Sequence, residues 1–139
     1  EEIEFLKKRS DELFMGKTFS CGMTMLYCMS ELFKLPLDQQ VLDALNGIME
    51  HRDYRMQCGL YKGALMFLGI YGAAKGWDRP KLNEVTKDFA AKFEEAYGSQ
   101  KCYDIRGGKF QPTEPHDKCA PTTEKGVLLA ADFIKGLEA

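Results

Sequence analysis

The sequence predicts an all-α fold: a single compact bundle of about six helices around a buried central glycine-bearing helix, with a long cysteine-containing loop before the last helix. Three observations predict it. Apolar residues recur at three- and four-residue spacing through most of the chain. Glycine, proline and capping residues fall between those periodic segments. No stretch shows the strict alternation of a half-buried strand. At 139 residues, the chain is expected to form one domain over 1–139.

Residues Glu1 to Met15 read as an amphipathic first helix, with Ile3, Leu6, Arg9 and Leu13 on turns compatible with an apolar stripe that takes in Phe5 and Phe14. Gly16 ends it. A second helix begins at Thr18-Phe19-Ser20-Cys21, with Ser20 as N-cap and Met25, Leu26, Met29, Leu32 and Phe33 on its apolar face. Pro36 stops that pattern, and Asp38 can cap a third helix carrying Val41, Leu42, Leu45, Ile48 and Met49. The polar run from Glu50 to Arg55 reads as a loop.

The central helix follows, from Cys58 towards Trp77. Between Leu60 and Ala74 only Lys62 is charged, so this helix is expected at the middle of the bundle. Its apolar run is too short and too interrupted to cross a bilayer. Gly63, Gly69 and Gly72 would each weaken an exposed helix by about 1 kcal/mol relative to Ala. Their presence predicts the close approach of a backbone or a cofactor. Pro80 then opens a further helix on which Leu82, Val85, Phe89 and Phe93 repeat, and Gly98 closes it. Gly98 to Pro121 reads as a long ordered loop, of a length that in a compact domain usually carries function. A last helix after Pro121 presents Val127, Ala130, Ala131, Ile134 and Leu137 to the core.

A net charge of −2 and the lack of a basic block argue against nucleic-acid or anionic-membrane binding. No membrane span and no basic-then-apolar leader is present, so the expected compartment is the cytoplasm. No phosphate-binding glycine loop, Ser-His-Asp order or His-Glu-x-x-His motif occurs. Asp104 to Gly108 carries glycines but follows no strand, so it supports no nucleotide site. Met23, Met25 and Met29 have core spacing, which favours packing over metal ligation. His51 lies among charges, and His116 in the loop could add a ligand or a proton to a nearby site, although a solvated role suits both. Lys101, Arg106, Lys109 and Lys118 make the loop locally basic.

Chemistry points to the five cysteines. None forms a Cys-x-x-Cys pair, so a zinc ribbon, a thioredoxin-type site and a ferredoxin run are absent. Cys28 shares a helical stripe with Leu32 and reads as a core residue. Cys21, Cys58 and Cys119 each stand at a predicted helix N-terminus, and Cys102 lies in the long loop. Free N–H groups and the positive end of the helix dipole favour thiolate over thiol. Four such thiolates would suit an iron–sulfur cluster, tetrahedral zinc, or two redox-active disulfides, unless they are unrelated buried thiols.

The order Ser20-Cys21-Gly22, Cys58-Gly59-Leu60-Tyr61-Lys62-Gly63-Ala64-Leu65-Met66, Tyr97 to Ile105, and Lys118-Cys119-Ala120 resembles the C_GCAxxG_C_C family, whose members include the cysteine-rich part of split-Soret cytochrome c. The likeness spans about Phe14 to Phe133. It implies a small helical redox protein whose four signature cysteines correspond to Cys21, Cys58, Cys102 and Cys119. The chain departs from the family pattern in lacking glycines at Tyr54 to Gln57 and in the larger Leu60 and Tyr61.

Three functions remain open from the sequence. The first is electron transfer to a redox partner protein through a [2Fe–2S] or [4Fe–4S] cluster on those four cysteines. The second is thiol–disulfide chemistry or sensing, with Cys21/Cys58 and Cys102/Cys119 as pairs and no metal. The third is a zinc-stabilised interaction module using the same four thiolates. A homodimer is a further expectation, from the apolar first helix and the glycines of the central one.

Overall fold

The computed structural model describes residues 1–13, 21–49, 58–99 and 120–138. Among them are six helices: α1 (Glu2–Glu12), α2 (Cys21–Phe33), α3 (Gln39–Met49), α4 (Gly59–Lys75), α5 (Arg79–Tyr97) and α6 (Ala120–Glu138). No strand occurs among the described residues. The predicted ends at Gly16 and Ser20, the polar run 50–55, His51, His116, the basic loop residues, Cys102 and Cys119 lie outside the described residues.

Local signals set the helix ends that can be seen. α4 closes on Gly76 at φ 75°, where the Trp77 N–H donates to the Gly72 carbonyl at 2.9 Å and the Gly76 N–H to the Ala73 carbonyl at 3.2 Å. That pair of bonds is the Schellman arrangement, which needs a left-handed residue and so favours glycine. Asp78 caps α5 by accepting the Lys81 N–H at 2.9 Å, with Pro80 in the first turn. Gly98, at φ 79°, ends α5. α2 stops at Phe33, because Lys34 takes the left-handed conformation (φ 58°) before Pro36 is reached.

The core forms around α4. Leu60, Tyr61, Ala64, Phe67, Leu68 and Tyr71 are buried on it, against Met25, Leu26 and Met29 of α2, Val85, Phe89 and Phe93 of α5, and Val127, Ala130 and Ile134 of α6. α2 and α4 share the most extensive contact in the fold. Of the three glycines predicted to mark a close approach, two do. A Cβ on Gly63 would stand 2.7 Å from the Gly22 carbonyl oxygen, so a backbone fills that space. A Cβ on Gly72 would meet the Trp77 ring at 2.6 Å. Gly69 faces nothing within 4 Å among the described residues, so no close approach is seen there.

The predicted apolar stripe of α1 is also corrected. Leu6, Ser10 and Leu13 form the buried face, whereas Ile3 and Phe5 are 59% and 44% exposed. The period of 3.6 residues places positions 6, 10 and 13 on one side and turns Phe5 away from it, whereas Ile3 shares that side and is exposed in the first turn of the helix. The larger Leu60 and Tyr61 of α4 are absorbed by the core: Tyr61 stacks on Phe89 with ring centroids 6.1 Å apart, and Leu60 lies against Gly126 of α6.

Side-chain pairings fix the directions of the helices. Gly22 meets Gly59 and Gly63, while Phe33 meets Phe67 and Tyr71, so α2 runs parallel to α4. Gly126 meets Leu60 and Glu138 meets Tyr71, so α6 runs parallel to α4 as well. Tyr61 packs on Phe89 and Phe93, beyond the turn at Trp77, so α5 runs back antiparallel. The ion pairs Lys7–Glu124 and Lys135–Glu2 set α1 antiparallel to α6. Three helices therefore begin at the same end of the bundle.

Candidate functional site

That shared end holds Cys21, the first residue of α2, and Cys58, the N-cap of α4. Cys58 is buried and Cys21 is half-buried, and neither forms a disulfide. The close fit of Gly22 against the start of α4 brings them together. A Cβ on Gly22 would sit 3.2 Å from the Gly59 carbonyl oxygen, so any larger residue would drive the two helix starts apart.

The Cys21 thiol donates a hydrogen bond to the Cys58 sulfur, and that bond is the main cause holding the Cys21 pKa well above 9.0. Burial and repulsion from a like negative charge on Cys58 push it the same way. The N–H groups of Cys21 and Gly22 bond to the Cys21 sulfur and pull in the other direction. The helix-end stabilisation expected from sequence is thus present, but it loses. A helix dipole contributes typically about 0.3–1 kcal/mol, and two negative sulfurs side by side out of water cost more than that. Cys21 therefore stays a neutral thiol in this arrangement. A cation between the two sulfurs, or a bond joining them, would remove the conflict.

Cys28 is placed as predicted, fully buried among core side chains in the middle of α2. Burial lifts its pKa from 9.0 to about 12, with the nearby Glu31 adding to the effect and Arg9 opposing it. It is an inert core thiol. Of the four signature cysteines, Cys21 and Cys58 are brought together, and Cys102 and Cys119 lie outside the described residues. Among the described residues, no group of three or more His, Cys, Asp or Glu side chains is positioned to hold a metal ion.

Sequence reasoning gave no role to Tyr97, although it lies within the quoted motif. It ends α5, one turn beyond Phe93, with their ring centroids 4.5 Å apart. Its hydroxyl donates to the Thr122 carbonyl in the first turn of α6 at 2.8 Å. Burial, then the charges of Cys58 and Cys21, hold its pKa far above 10.0, so Tyr97 stays a neutral phenol beside the thiol pair. The signal that could have revealed it is its position on the Phe89–Phe93 stripe, five residues before Cys102. The neighbouring Thr123 is fully buried, and its hydroxyl has no hydrogen-bond partner among the described residues. A pocket of about 260 Å³ between α5 and α6, lined by Lys92, Glu95, Ala96, Leu129, Asp132 and Phe133, contains no thiol.

No helix among the described residues is long and apolar enough to cross a membrane. No curated protein and no solved structure matches the chain. Residues 19–133 match a family model described as "Putative redox-active protein (C_GCAxxG_C_C)", and the chain belongs to that family.

Proposed function

We propose that the protein is a small electron-transfer protein whose site is an iron–sulfur cluster held by Cys21, Cys58, Cys102 and Cys119. The observation that carries this reading is the meeting of the Cys21 and Cys58 thiols at the starts of two parallel helices. The donor chemistry fits, since thiolate sulfurs are the usual ligands of such clusters. When bound, a cluster would supply reversible storage of an electron. The chain's own part is to gather soft donors, to offset their charge with main-chain N–H groups, and to shield them with the buried start of α4. Membership of the redox-active family supports the same assignment.

The hydrogen bond between the two thiols also favours a second reading, a reversible Cys21–Cys58 disulfide. In that reaction the two thiols lose two protons and two electrons and form one S–S bond. The electrons reduce a disulfide of the partner protein, which takes up the protons as two thiols.

The test is a visible spectrum with iron, acid-labile sulfide and zinc analysis on protein purified without oxygen, together with Cys58→Ser and Cys28→Ser. The expected result is coloured protein with matching iron and sulfide, lost in Cys58→Ser and kept in Cys28→Ser. Colour that survives Cys58→Ser and disappears in Cys28→Ser would overturn the site. Colourless, metal-free protein that loses two titratable thiols on mild oxidation would establish the disulfide reading. One tightly held zinc without a redox response would make the site structural.

A further inference from the structure

We propose that Tyr97 is a positioning residue of this site, pinning the first turn of α6 against the start of α4 and so holding the Cys21–Cys58 pair in register. The inference rests on the reading of that pair as the core of the redox centre, and it concerns a residue that neither carries charge nor binds metal.

Three helices meet at the Tyr97 hydroxyl. From α5 it reaches the Thr122 carbonyl of α6 at 2.8 Å. In a regular helix that carbonyl also serves the N–H of residue 126, so the phenol occupies the second acceptor position. Residue 126 is glycine. A Cβ there would stand 3.0 Å from the Tyr97 oxygen and 2.9 Å from Cδ1 of Leu60, two residues beyond Cys58 in α4. A side chain at 126 would therefore separate α6 from both α4 and α5. Lys125 holds the ring from outside, with Nζ 4.6 Å from the ring centroid and 2.9 Å from the Ala96 carbonyl oxygen. Leu60 stands two residues after Cys58, the N-cap of the same helix, so this junction lies within one turn of that thiol.

A junction so close to the pair governs two quantities. One is the effective concentration of one sulfur at the other, which falls steeply when two tethered groups are free to separate. The other is the access of water, which helps to set the potential of a thiolate-bound cluster. Loosening the junction makes disulfide formation less favourable and a buried cluster easier to reduce. Both effects raise the midpoint potential.

The opposite end of α4 offers a matched control. Tyr71 donates its hydroxyl to Glu138 at 2.7 Å, so Tyr71→Phe deletes the same group from the same helix bundle, far from the thiols. The experiment is an equilibrium redox titration of the full chain as purified, followed by visible absorbance if it is coloured and by thiol count if it is not. Wild type, Tyr97→Phe, Tyr71→Phe and Cys58→Ser are compared, with thermal unfolding of each.

Tyr97→Phe is expected to raise the midpoint by about tenfold in the equilibrium constant, about 30 mV for a two-electron couple or about 59 mV for one electron. Tyr71→Phe is expected to lose similar stability and keep the wild-type midpoint. If Tyr97→Phe stays within threefold of wild type while Cys58→Ser abolishes the redox transition, the positioning role is overturned and the site reading stands. A transition that persists in Cys58→Ser overturns the site reading itself. Equal shifts in the two phenylalanine variants would reduce Tyr97 to a general stabiliser and overturn the inference.

Discussion

The two ends of α4 use the same device for opposite purposes. At each end a glycine admits a close neighbour, Gly63 at the thiol end and Gly72 at the other. Gly72 admits the Trp77 ring, and the surroundings are closed by partnered polar groups: Tyr71 with Glu138, Lys75 with Glu138 at 3.7 Å, and the bonded turn at Gly76. Gly63 admits the backbone of α2, and what that contact positions is a pair of sulfurs, one buried and one half-buried, with a conflict of charge. Polar groups are left unsatisfied here too. Among the described residues Thr123 has no hydrogen-bond partner, and neither has buried Ser10 of α1. The Lys7–Glu124 pair sets Ser10, one turn further along antiparallel α1, level with the start of α6. One end is arranged for stability. The other retains strain in its polar groups, as functional sites commonly do.

The sharpest way to break this comparison is to add one methyl group at each end. Gly63→Ala drives Cβ into the Gly22 carbonyl, which belongs to a helix and cannot turn aside. Overpacking of this kind costs about 1–3 kcal/mol, and the gain in helix propensity offsets only about 1 of it. The expected outcome is a lower denaturant midpoint together with loss of the redox transition. Gly72→Ala meets a ring that can shift, so its expected stability loss is smaller, and its redox transition is unchanged. Equal redox effects from the two variants would erase the distinction between the ends.

Cys28 sharpens the contrast by pH, because it is a buried thiol away from the pair. Its pKa rises on folding from 9.0 to about 12, so above pH 9 the folded state binds more protons than the unfolded chain. The stabilisation from the neutral thiol is complete below pH 9 and is lost as pH rises towards 12. Denaturant titrations across that range should show a shallower alkaline loss in Cys28→Ala than in the parent chain. An unaltered slope would mean that Cys28 is not buried as a thiol.

The smallest expected effect is a gain. Thr123→Val keeps the shape of the side chain and removes a hydroxyl that has lost water without finding a partner among the described residues, a penalty of about 1–3 kcal/mol. Stability should rise by about 1 kcal/mol, read from the denaturant midpoint. A fall of similar size would show that the Thr123 hydroxyl has a partner in solution, and that this end is no less satisfied than the other.

Much of this molecule follows from rules that act over a few residues. The helical period gives the buried stripes of α2, α5 and α6, and glycine's tolerance of positive φ gives the ends at Gly76 and Gly98. Asp78 and Pro80 fix the start of α5, and the uncharged run from Tyr61's side of Lys62 onward fixes α4 as the central helix. The order of the cysteines is equally legible, and so is Cys28 as a core residue. Tertiary structure alone decided that α2, α4 and α6 start at one end, that Cys21 faces Cys58, and that Tyr97 reaches across to α6. It also decided that Ile3 and Phe5 stay exposed and that Gly69 meets nothing among the described residues. Spacing along a helix shows which residues share a face, but not which helix will cover it. The meeting of the two thiols depends on backbone contacts such as Gly22 against Gly63, between residues far apart in the chain.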